Sequence, residues 1–335
     1  VSVLLYHRFG ESKYPSTNIS PELFRKQLDF LLQENYTVLH LDQFRNIVHG
    51  RTSFPEKSVL ITIDDAYRSI YDHAFPILKE FNFPFTLFVD ARPLSSGASG
   101  AMTWEMLQEM RDWGASIGNH TYSHARIGRP KPNQNLSDYR EWVRSDILLA
   151  QNKLNENGIF TDVIAYPFGE YNEVVIDIAR EEGFKLMFAQ DEGAVDSTVD
   201  LTRIPRLPIV GENMDETRFK YKLNLSPLHV MNLVPSVIEM KTNPPAYFSL
   251  RITDPDRYRP GVVNAFISEI GQLDIKYDAK SGEMKSFIDV PFERPMNRLI
   301  ITAREKSNPY FSMFSRLYSR PLVELGLIPD STNTK

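Results

Sequence analysis

The sequence contains no cysteine among its 335 residues. Disulfide bonds, thiolate catalysis and thiolate metal sites are therefore excluded, and any metal ion must be held by nitrogen and oxygen ligands. No run of about 18 apolar residues is present, so the sequence predicts no membrane-spanning helix. A strong charge of one sign is also lacking, since the net charge is -5. With no basic stripe, the sequence favours neither nucleic-acid binding nor strong attraction to a membrane surface.

The length of the chain suits one large or two ordinary domains, and its 42% hydrophobic content is enough for a full core. The chain begins directly in an apolar strand, "VSVLLYH", without an initiating Met. This start is typical of a mature or trimmed chain, so the presence of an export signal ahead of it stays open.

Strand-like and helix-like segments alternate through the first two-thirds of the chain. Short apolar runs such as "SVLLY", "SVLITI" and "FPFTLFV" are separated by amphipathic segments, several of which end at Gly. This alternation predicts parallel βα units. Periodicity alone does not decide between a barrel and a doubly wound sheet.

From about Ser226 the helical pattern fades and short β-rich runs appear between turn signals. We predict a small all-β sandwich here, and hence two domains, residues 1–222 and residues 223–335. The predicted strands are "SVIEM", "AYFSLRI", "GQLDIKYD", "EMKSFIDVPF" and "NRLIITA". The aromatic segment "NPYFSMFSRLYSRP" could dock on the first domain or face a partner, and the tail "LIPDSTNTK" is expected to be loose.

Aromatic residues of the second domain could form a sugar-stacking platform, although most aromatics of a small sandwich are core residues. The candidates are Tyr247, Tyr258, Tyr277, Tyr310, Phe311, Phe314 and Tyr318.

Two histidines four residues apart, His120 and His124, follow the predicted strand "ASIGNH". On a helical turn, residues at this spacing lie on one face, so both rings could reach one ion. Taken alone, such a pair is more often two unrelated polar residues. A carboxylate from Asp65 would complete a set of two imidazoles and one carboxylate. That set leaves positions open for water and substrate, as at a catalytic metal site.

Two adjacent aspartates, Asp64 and Asp65, end the strand in "VLITIDDAYRS". Neighbouring side chains of a strand point to opposite faces, but a turn at its end can bring both carboxylates to one cavity. One could then bind the ion while the other takes a proton from water as general base. An N-cap pair in front of the following helix explains the two aspartates equally well.

Four segments resemble, in their order and spacing, the polysaccharide deacetylase family, the NodB-like group of carbohydrate esterase family 4. They are "LITIDDAYRS", "FPFTLFV", "MTWEMLQEMRDWGASIGNHTYSH" and "AYPFGEYN". The resemblance covers roughly residues 1–210. It implies an irregular (β/α)7 barrel that uses a divalent metal to remove acetyl groups from N-acetylglucosamine polymers or acetylated xylan.

The resemblance also implies roles for individual residues. Asp64 corresponds to the catalytic base, and the metal ligands correspond to Asp65, His120 and His124. Zinc is the default ion, although iron, cobalt or nickel would satisfy the same ligands. "AYPFG" stands where the family has Arg-x-Pro-Tyr, so the backbone N–H of Phe168 would stabilise the oxyanion of the tetrahedral intermediate.

The Leu-x-His motif that supplies the family's general acid is missing after "AYPFG", but Leu5-Tyr6-His7 fits it at the end of the first strand. This order resembles the circularly permuted branch of the family, which acts on the poly-β-1,6-N-acetylglucosamine of biofilm matrices. A barrel tolerates the shift because its first and last strands are neighbours. A strand-end histidine with a structural hydrogen bond is the alternative reading of His7.

The chain departs from the family pattern at three positions. Ala66 stands where Gly is usual, Ala165 where the Arg that tethers the base is usual, and Phe168 replaces Tyr. Arg203 or Arg206 of "LTRIPRLPI" could replace the missing cation. Pairing with a surface carboxylate is the more ordinary role of such an arginine.

We therefore expect a metal-dependent hydrolase that removes N-acetyl groups, with poly-β-1,6-N-acetylglucosamine as the preferred substrate. Other deacetylases or esterases of peptidoglycan, chitin or acetyl xylan, a cyclic amidase of the same fold, and an inactive glycan-binding protein are the alternatives. The intact ligand set argues against a metal-free amidase. The family's substrates imply an extracytoplasmic place, periplasmic, at the cell envelope or secreted. Peripheral envelope association and the oligomeric state stay open.

Overall fold

A computed structural model describes residues 1–328 of the chain, so most of the polar C-terminal tail lies outside the described residues. The N-terminal part alternates strands and helices. Its strands are β1 (Ser2–Tyr6), β2 (Arg8–Phe9), β3 (Asn18–Ile19), β4 (Thr37–Val38), β5 (Ser58–Asp64), β6 (Thr86–Val89), β7 (Ser116–Asn119), β8 (Val163–Ala165), β9 (Leu186–Phe188) and β10 (Leu207–Pro208). The α-helices are α1 (Pro21–Gln33), α2 (Leu41–Val48), α3 (Phe75–Phe81), α4 (Ala91–Ser96), α5 (Trp104–Trp113), α6 (Leu136–Glu156), α7 (Glu173–Glu181) and α8 (Glu216–Leu223).

Seven of these strands, β1 and β5 to β10, form a closed parallel barrel, whereas β2 and β3 pair separately. Parallel pairing runs from β1 through β5, β6, β7 and β8 to β9. The segment 204–208 fills the gap between the two ends, because Ile204 pairs with Phe188 of β9 and Leu207 of β10 pairs with Leu4 of β1. Closure excludes a doubly wound sheet and confirms the (β/α)7 barrel that the resemblance implies.

Burial and capping explain why these segments fold as they do. Every residue of β1 and β5 is buried, as expected for barrel strands covered on both faces. The Ser20 hydroxyl accepts a hydrogen bond from the N–H of Leu23, and Pro21 occupies the first position of α1. Thr103 and Asn135 cap α5 and α6 in the same manner. Among residues 1–328, no helix combines the length and apolar character needed to cross a bilayer.

The C-terminal part contains additional β-sheets, as predicted. Its strands are β11 (Ser226–Pro227), β12 (Val230–Val234), β13 (Tyr247–Ile252), β14 (Tyr258–Ile267), β15 (Gly271–Gln272), β16 (Lys276–Tyr277), β17 (Glu283–Phe287), β18 (Met296–Glu305) and β19 (Phe311–Ser319). One sheet has the order β11-β19-β18-β14-β15 and the other has the order β12-β13-β17-β16. Apolar side chains of both sheets form one core cluster, which includes Phe248, Leu299 and Ile301. The domain division at residue 222 stays a prediction.

Several details of the strand prediction were wrong, and β12 was among the strands that it missed. "SVIEM" is not a full strand: only Glu239 forms an isolated bridge, to Ser319 of β19, and the N–H of Ile238 donates to the carboxylate of Glu173 at 2.6 Å. The sequence analysis missed β14, where Pro260 and Gly261 look like a turn but lie where the pairing register shifts. It also missed β19, whose aromatic sequence pairs along its whole length with β18.

The larger C-terminal sheet packs on the barrel. Phe311 and Met313 of β19 contact the main barrel cluster. Leu317 shares a second buried cluster with Tyr166 and Tyr171 of the barrel. The aromatic terminus therefore docks on the barrel. The predicted aromatic platform does not form a single face, since Tyr258 and Tyr318 are buried in the sandwich core and Phe311 faces the barrel.

Candidate active site

Four strands of the barrel end at one mouth, where the sequence placed its candidate residues. β5 ends at Asp64, and His7 directly follows β1. The two histidines lie in the loop after β7. A short turn, Pro167–Gly169, follows β8. Because the strands are parallel, their carboxyl ends bring these side chains together.

Asp65, His120 and His124 form a compact cluster. One carboxylate oxygen and one ring nitrogen from each histidine lie within 4.8 Å of one another. Asp65 Oδ1 is 3.1 Å from His124 Nε2 and 3.6 Å from His120 Nε2. This buried oxygen has no aligned hydrogen bond among the described residues. Ligands about 2.0–2.1 Å from a shared tetrahedral ion lie about 3.3 Å apart, so the three residues fit a divalent metal.

A backbone contact sets the protonation of His120. Its Nδ1 is 2.7 Å from the carbonyl oxygen of Ala165, which can only accept, so Nδ1 carries the proton. Nε2 is thereby left as the free lone pair that faces Asp65. Burial lowers the pKa of His120 to about 4, against the opposing effect of Asp64. The ring is therefore neutral at physiological pH, which is the form that binds metals.

The reason given for the His120–His124 spacing was wrong, although both rings do reach the cluster. The segment is a loop and not a helical turn, with Thr121 at φ 64° and His124 at φ 54°. Side chains hold this loop: Asn119 accepts from the N–H of Thr121 at 2.8 Å, and Thr121 Oγ1 accepts from that of His124 at 3.2 Å. Left-handed residues outside glycine are uncommon, and their clustering here marks a constrained loop.

Asp64 is bound by a buried arginine. Arg206 donates from both terminal nitrogens to the two carboxylate oxygens at 2.6 and 2.7 Å, and its Nε donates to the carbonyl of Ala189 at 2.7 Å. Both charged groups are completely buried. Burial raises the pKa of Asp64, but the charges of Arg206 and His120 and the hydrogen bonds from Arg206 together hold that pKa below its ordinary value. Asp64 is therefore an ionised carboxylate that can accept a proton.

The surface pairing favoured for both arginines was wrong for Arg206. It is right for Arg203, which pairs with Asp200 at 2.8 Å. Arg206, in the segment 204–208 that closes the barrel, thus supplies a cation where the chain has Ala165 instead of the family's arginine.

The capping reading of the two aspartates finds no support in the structure. Asp64 is the last residue of β5, and Asp65 turns the chain with φ 75°. The helical segment that follows begins at Ile70, and the residue before it is Ser69. Both carboxylates instead lie near His120, since Asp64 Oδ2 is 3.8 Å from its Nε2.

Phe168 lies beside the cluster. Its backbone is left-handed, with φ 59°, and its ring centroid is 4.5 Å from that of His124. The guanidinium of Arg126 covers the same ring at 3.8 Å. Phe168 therefore forms one wall of the mouth of the barrel.

His7 is half-buried at the end of β1. Its Nδ1 is buried and has no hydrogen-bond partner among residues 1–328. The alternative role of His7, a structural hydrogen bond, is therefore not supported for this atom. Burial lowers the pKa of His7, while the nearby carboxylates of Asp65 and Asp64 oppose that effect. The charges of both aspartates therefore act on the ring.

Asp90 is a site residue that the sequence analysis missed. It follows β6, is 8% exposed, and accepts the N–H of Ala66 at 3.0 Å. Burial, with a contribution from Asp65, raises the pKa of Asp90 to about 6. Its contact fixes the turn that presents Asp65. Its position directly after "FPFTLFV" was the available signal, since polar residues at parallel strand ends favour a site.

Comparisons with known proteins agree with this geometry. Residues 51–187 match the family described as polysaccharide deacetylase. The chain is 28% identical over 192 residues to YxkH of Bacillus subtilis, covering 57% of this chain and 65% of that protein. It is 27% identical over 216 residues to the poly-beta-1,6-N-acetyl-D-glucosamine N-deacetylase of Staphylococcus epidermidis, covering 63% and 74%.

A solved structure is also similar. The structure of IcaB from Ammonifex degensii has a TM-score of 0.58 and 29% sequence identity, covering 66% of this chain and 96% of that one. A shared barrel, a shared sequence profile and an Asp-His-His cluster suited to a metal ion thus coincide in one region. Residues 51–187, within the N-terminal barrel, thus form a polysaccharide deacetylase domain.

Proposed function

We propose that the chain is a metal-dependent hydrolase that removes N-acetyl groups from poly-β-1,6-N-acetylglucosamine. The observation that carries the proposal is the arrangement of Asp64, an ionised carboxylate paired with buried Arg206, beside Asp65, His120 and His124. The deacetylase of Staphylococcus epidermidis, whose name specifies this polymer, supports the choice of substrate. The polymer lies outside the cytoplasm, so we propose an extracytoplasmic place of action.

The metal site has one task in this proposal. A divalent cation held by Asp65, His120 and His124 would supply Lewis acidity towards the acetyl carbonyl and the attacking water. Zinc is our proposed ion, and iron, cobalt and nickel suit the same nitrogen and oxygen ligands.

Side chains of the barrel carry the proton transfers. Asp64 takes the proton of water as its oxygen adds to the acetyl carbon. The N–H of Phe168 donates to the oxyanion that forms. His7, once protonated, gives a proton to the amide nitrogen as the C–N bond breaks, and its lowered pKa makes it a stronger acid for this step. The products are acetate and a free amine on the sugar.

Acetate release tests the proposal. We expect a β-1,6-linked N-acetylglucosamine oligomer to release acetate when zinc, nickel or cobalt is added, and a chelator to stop the release. The same assay on chitin, peptidoglycan and acetyl xylan fragments measures preference. Faster release from one of these fragments would overturn the substrate assignment. No acetate release from any of the four substrates would indicate a glycan-binding protein.

Loss of a ligand is expected to abolish tight metal binding. Asp65→Asn and His124→Ala each remove one of three protein ligands, and the zinc dissociation constant should rise at least about 100-fold. Isothermal titration calorimetry measures this constant. His73 is exposed and lies outside the cluster, so His73→Ala is the control and should bind zinc like the wild type. Unchanged affinity in both ligand variants would rule out this site.

A further inference from the structure

Arg298, on β18 of the larger C-terminal sheet, reaches the active-site turn of the barrel. Its Nη2 lies 3.1 Å from the carbonyl oxygen of Gly169 and 3.4 Å from that of Phe168. Its Nε donates to Asp191 Oδ1 at 3.1 Å. One side chain from the C-terminal part therefore holds two successive carbonyls of the turn that follows β8.

Asp191 anchors this arginine to the barrel. It is 2% exposed, and its other carboxylate oxygen accepts from the hydroxyl of buried Tyr171. Its backbone carbonyl accepts the N–H of Arg206 at 3.0 Å. Arg298 is thus fixed by a partly buried, charge-assisted hydrogen bond, and the backbone of Asp191 also contacts Arg206, the residue that binds Asp64.

The turn is one that needs to be held. Phe168 adopts φ 59° and Gly169 adopts φ 61°, and the left-handed region is costly for a residue with a side chain. A Cβ added at Gly169 would lie 2.4 Å from Gln190 Cβ and 2.8 Å from Arg298 Nη2. The arginine therefore packs directly against the glycine backbone, in space that another residue type would fill.

We propose that Arg298 is a positioning residue for the hydrolysis, and that the C-terminal sheets complete the active site. By binding the carbonyls of Phe168 and Gly169, Arg298 fixes the two peptide planes that follow the Phe168 N–H. The N–H then keeps its direction as charge develops on the oxyanion. This inference rests on the proposed function, and it assigns the C-terminal part a catalytic support role.

The test combines kinetics with backbone exchange. In Arg298→Met, kcat for acetate release should fall about 10- to 100-fold with little change in KM, because an interaction made in the transition state is misplaced. Hydrogen–deuterium exchange of the metal-free protein should speed up in the peptide that covers residues 163–172. Arg298→Lys keeps the positive charge but lacks the planar guanidinium that donates to several acceptors at once, so it should give an intermediate kcat.

Arg304 provides the matched control. It lies on the same strand and the same face, and its guanidinium is near Phe311 instead of the turn. Arg304→Met should leave both kcat and exchange in residues 163–172 unchanged. Wild-type kcat in Arg298→Met, or equal losses in both variants, would overturn the inference. An inactive wild type would instead count against the proposed function, while the exchange measurement would still test the contact.

Discussion

Asp64→Asn is expected to lower kcat for acetate release by about 10³-fold or more, since general-base catalysis contributes about 10²–10⁴-fold. An asparagine amide has the same shape as the carboxylate but cannot take a proton from water. Zinc affinity should be unchanged, because Asp65, His120 and His124 supply the ligands. Acetate release measured beside zinc titration separates the two effects.

The asparagine oxygen can still accept one N–H of Arg206, but half of the buried pair is lost. Unfolding in urea should therefore accompany the kinetic measurement. Asp64→Glu keeps a carboxylate in the barrel and provides a second variant, which should fold and yet be slow because the base is displaced. The base assignment fails if Asp64→Asn binds zinc normally and retains a tenth or more of the wild-type kcat.

Arg206→Met is expected to lower the free energy of unfolding by about 3–5 kcal/mol, the usual cost of removing one partner of a buried ion pair. It should also lower kcat by about 10²-fold or more, because an unpaired buried carboxylate takes up a proton and no longer acts as a base. Urea unfolding and acetate release, measured on the same preparation, check both effects.

Arg203→Met is the control from the same segment. Arg203 pairs with Asp200 at a partly exposed position, and such pairs contribute less than about 1 kcal/mol. A double-mutant cycle adds a sharper test. In the Asp64→Asn background, Arg206→Met should cost at least about 1 kcal/mol less than in the wild type. Equal losses for Arg203→Met and Arg206→Met would contradict the special role of the buried pair.

The sequence predicted the parts of the site that lie at strand ends. Asp64 and Asp65 lie at the end of a clearly apolar strand. Because the strands are parallel, their carboxyl ends meet at the same end of the barrel. His120 and His124 were found through their spacing, although the loop that joins them is held by left-handed residues and side-chain hydrogen bonds. Local pattern identified the residues but did not determine the backbone between them.

Long-range contacts were beyond such reasoning. Arg206 and Arg203 lie three residues apart in the same segment, and only the closed barrel shows that one is buried against Asp64 while the other faces solvent. No local pattern pointed to Arg298, because its contacts join a strand of the C-terminal part to residues of the barrel that lie more than 100 positions earlier in the chain. β14 was hidden by Pro260 and Gly261, since a register shift and a turn use the same residue types.

The order of the chain has a consequence for biosynthesis. All three candidate metal ligands have been made once synthesis passes His124, whereas Arg206 arrives only with the segment that closes the barrel. A chain that has not yet reached this segment therefore carries every candidate ligand but lacks the buried arginine that pairs with Asp64. Under the proposed mechanism, the pairing of the base would be completed last, together with closure of the barrel.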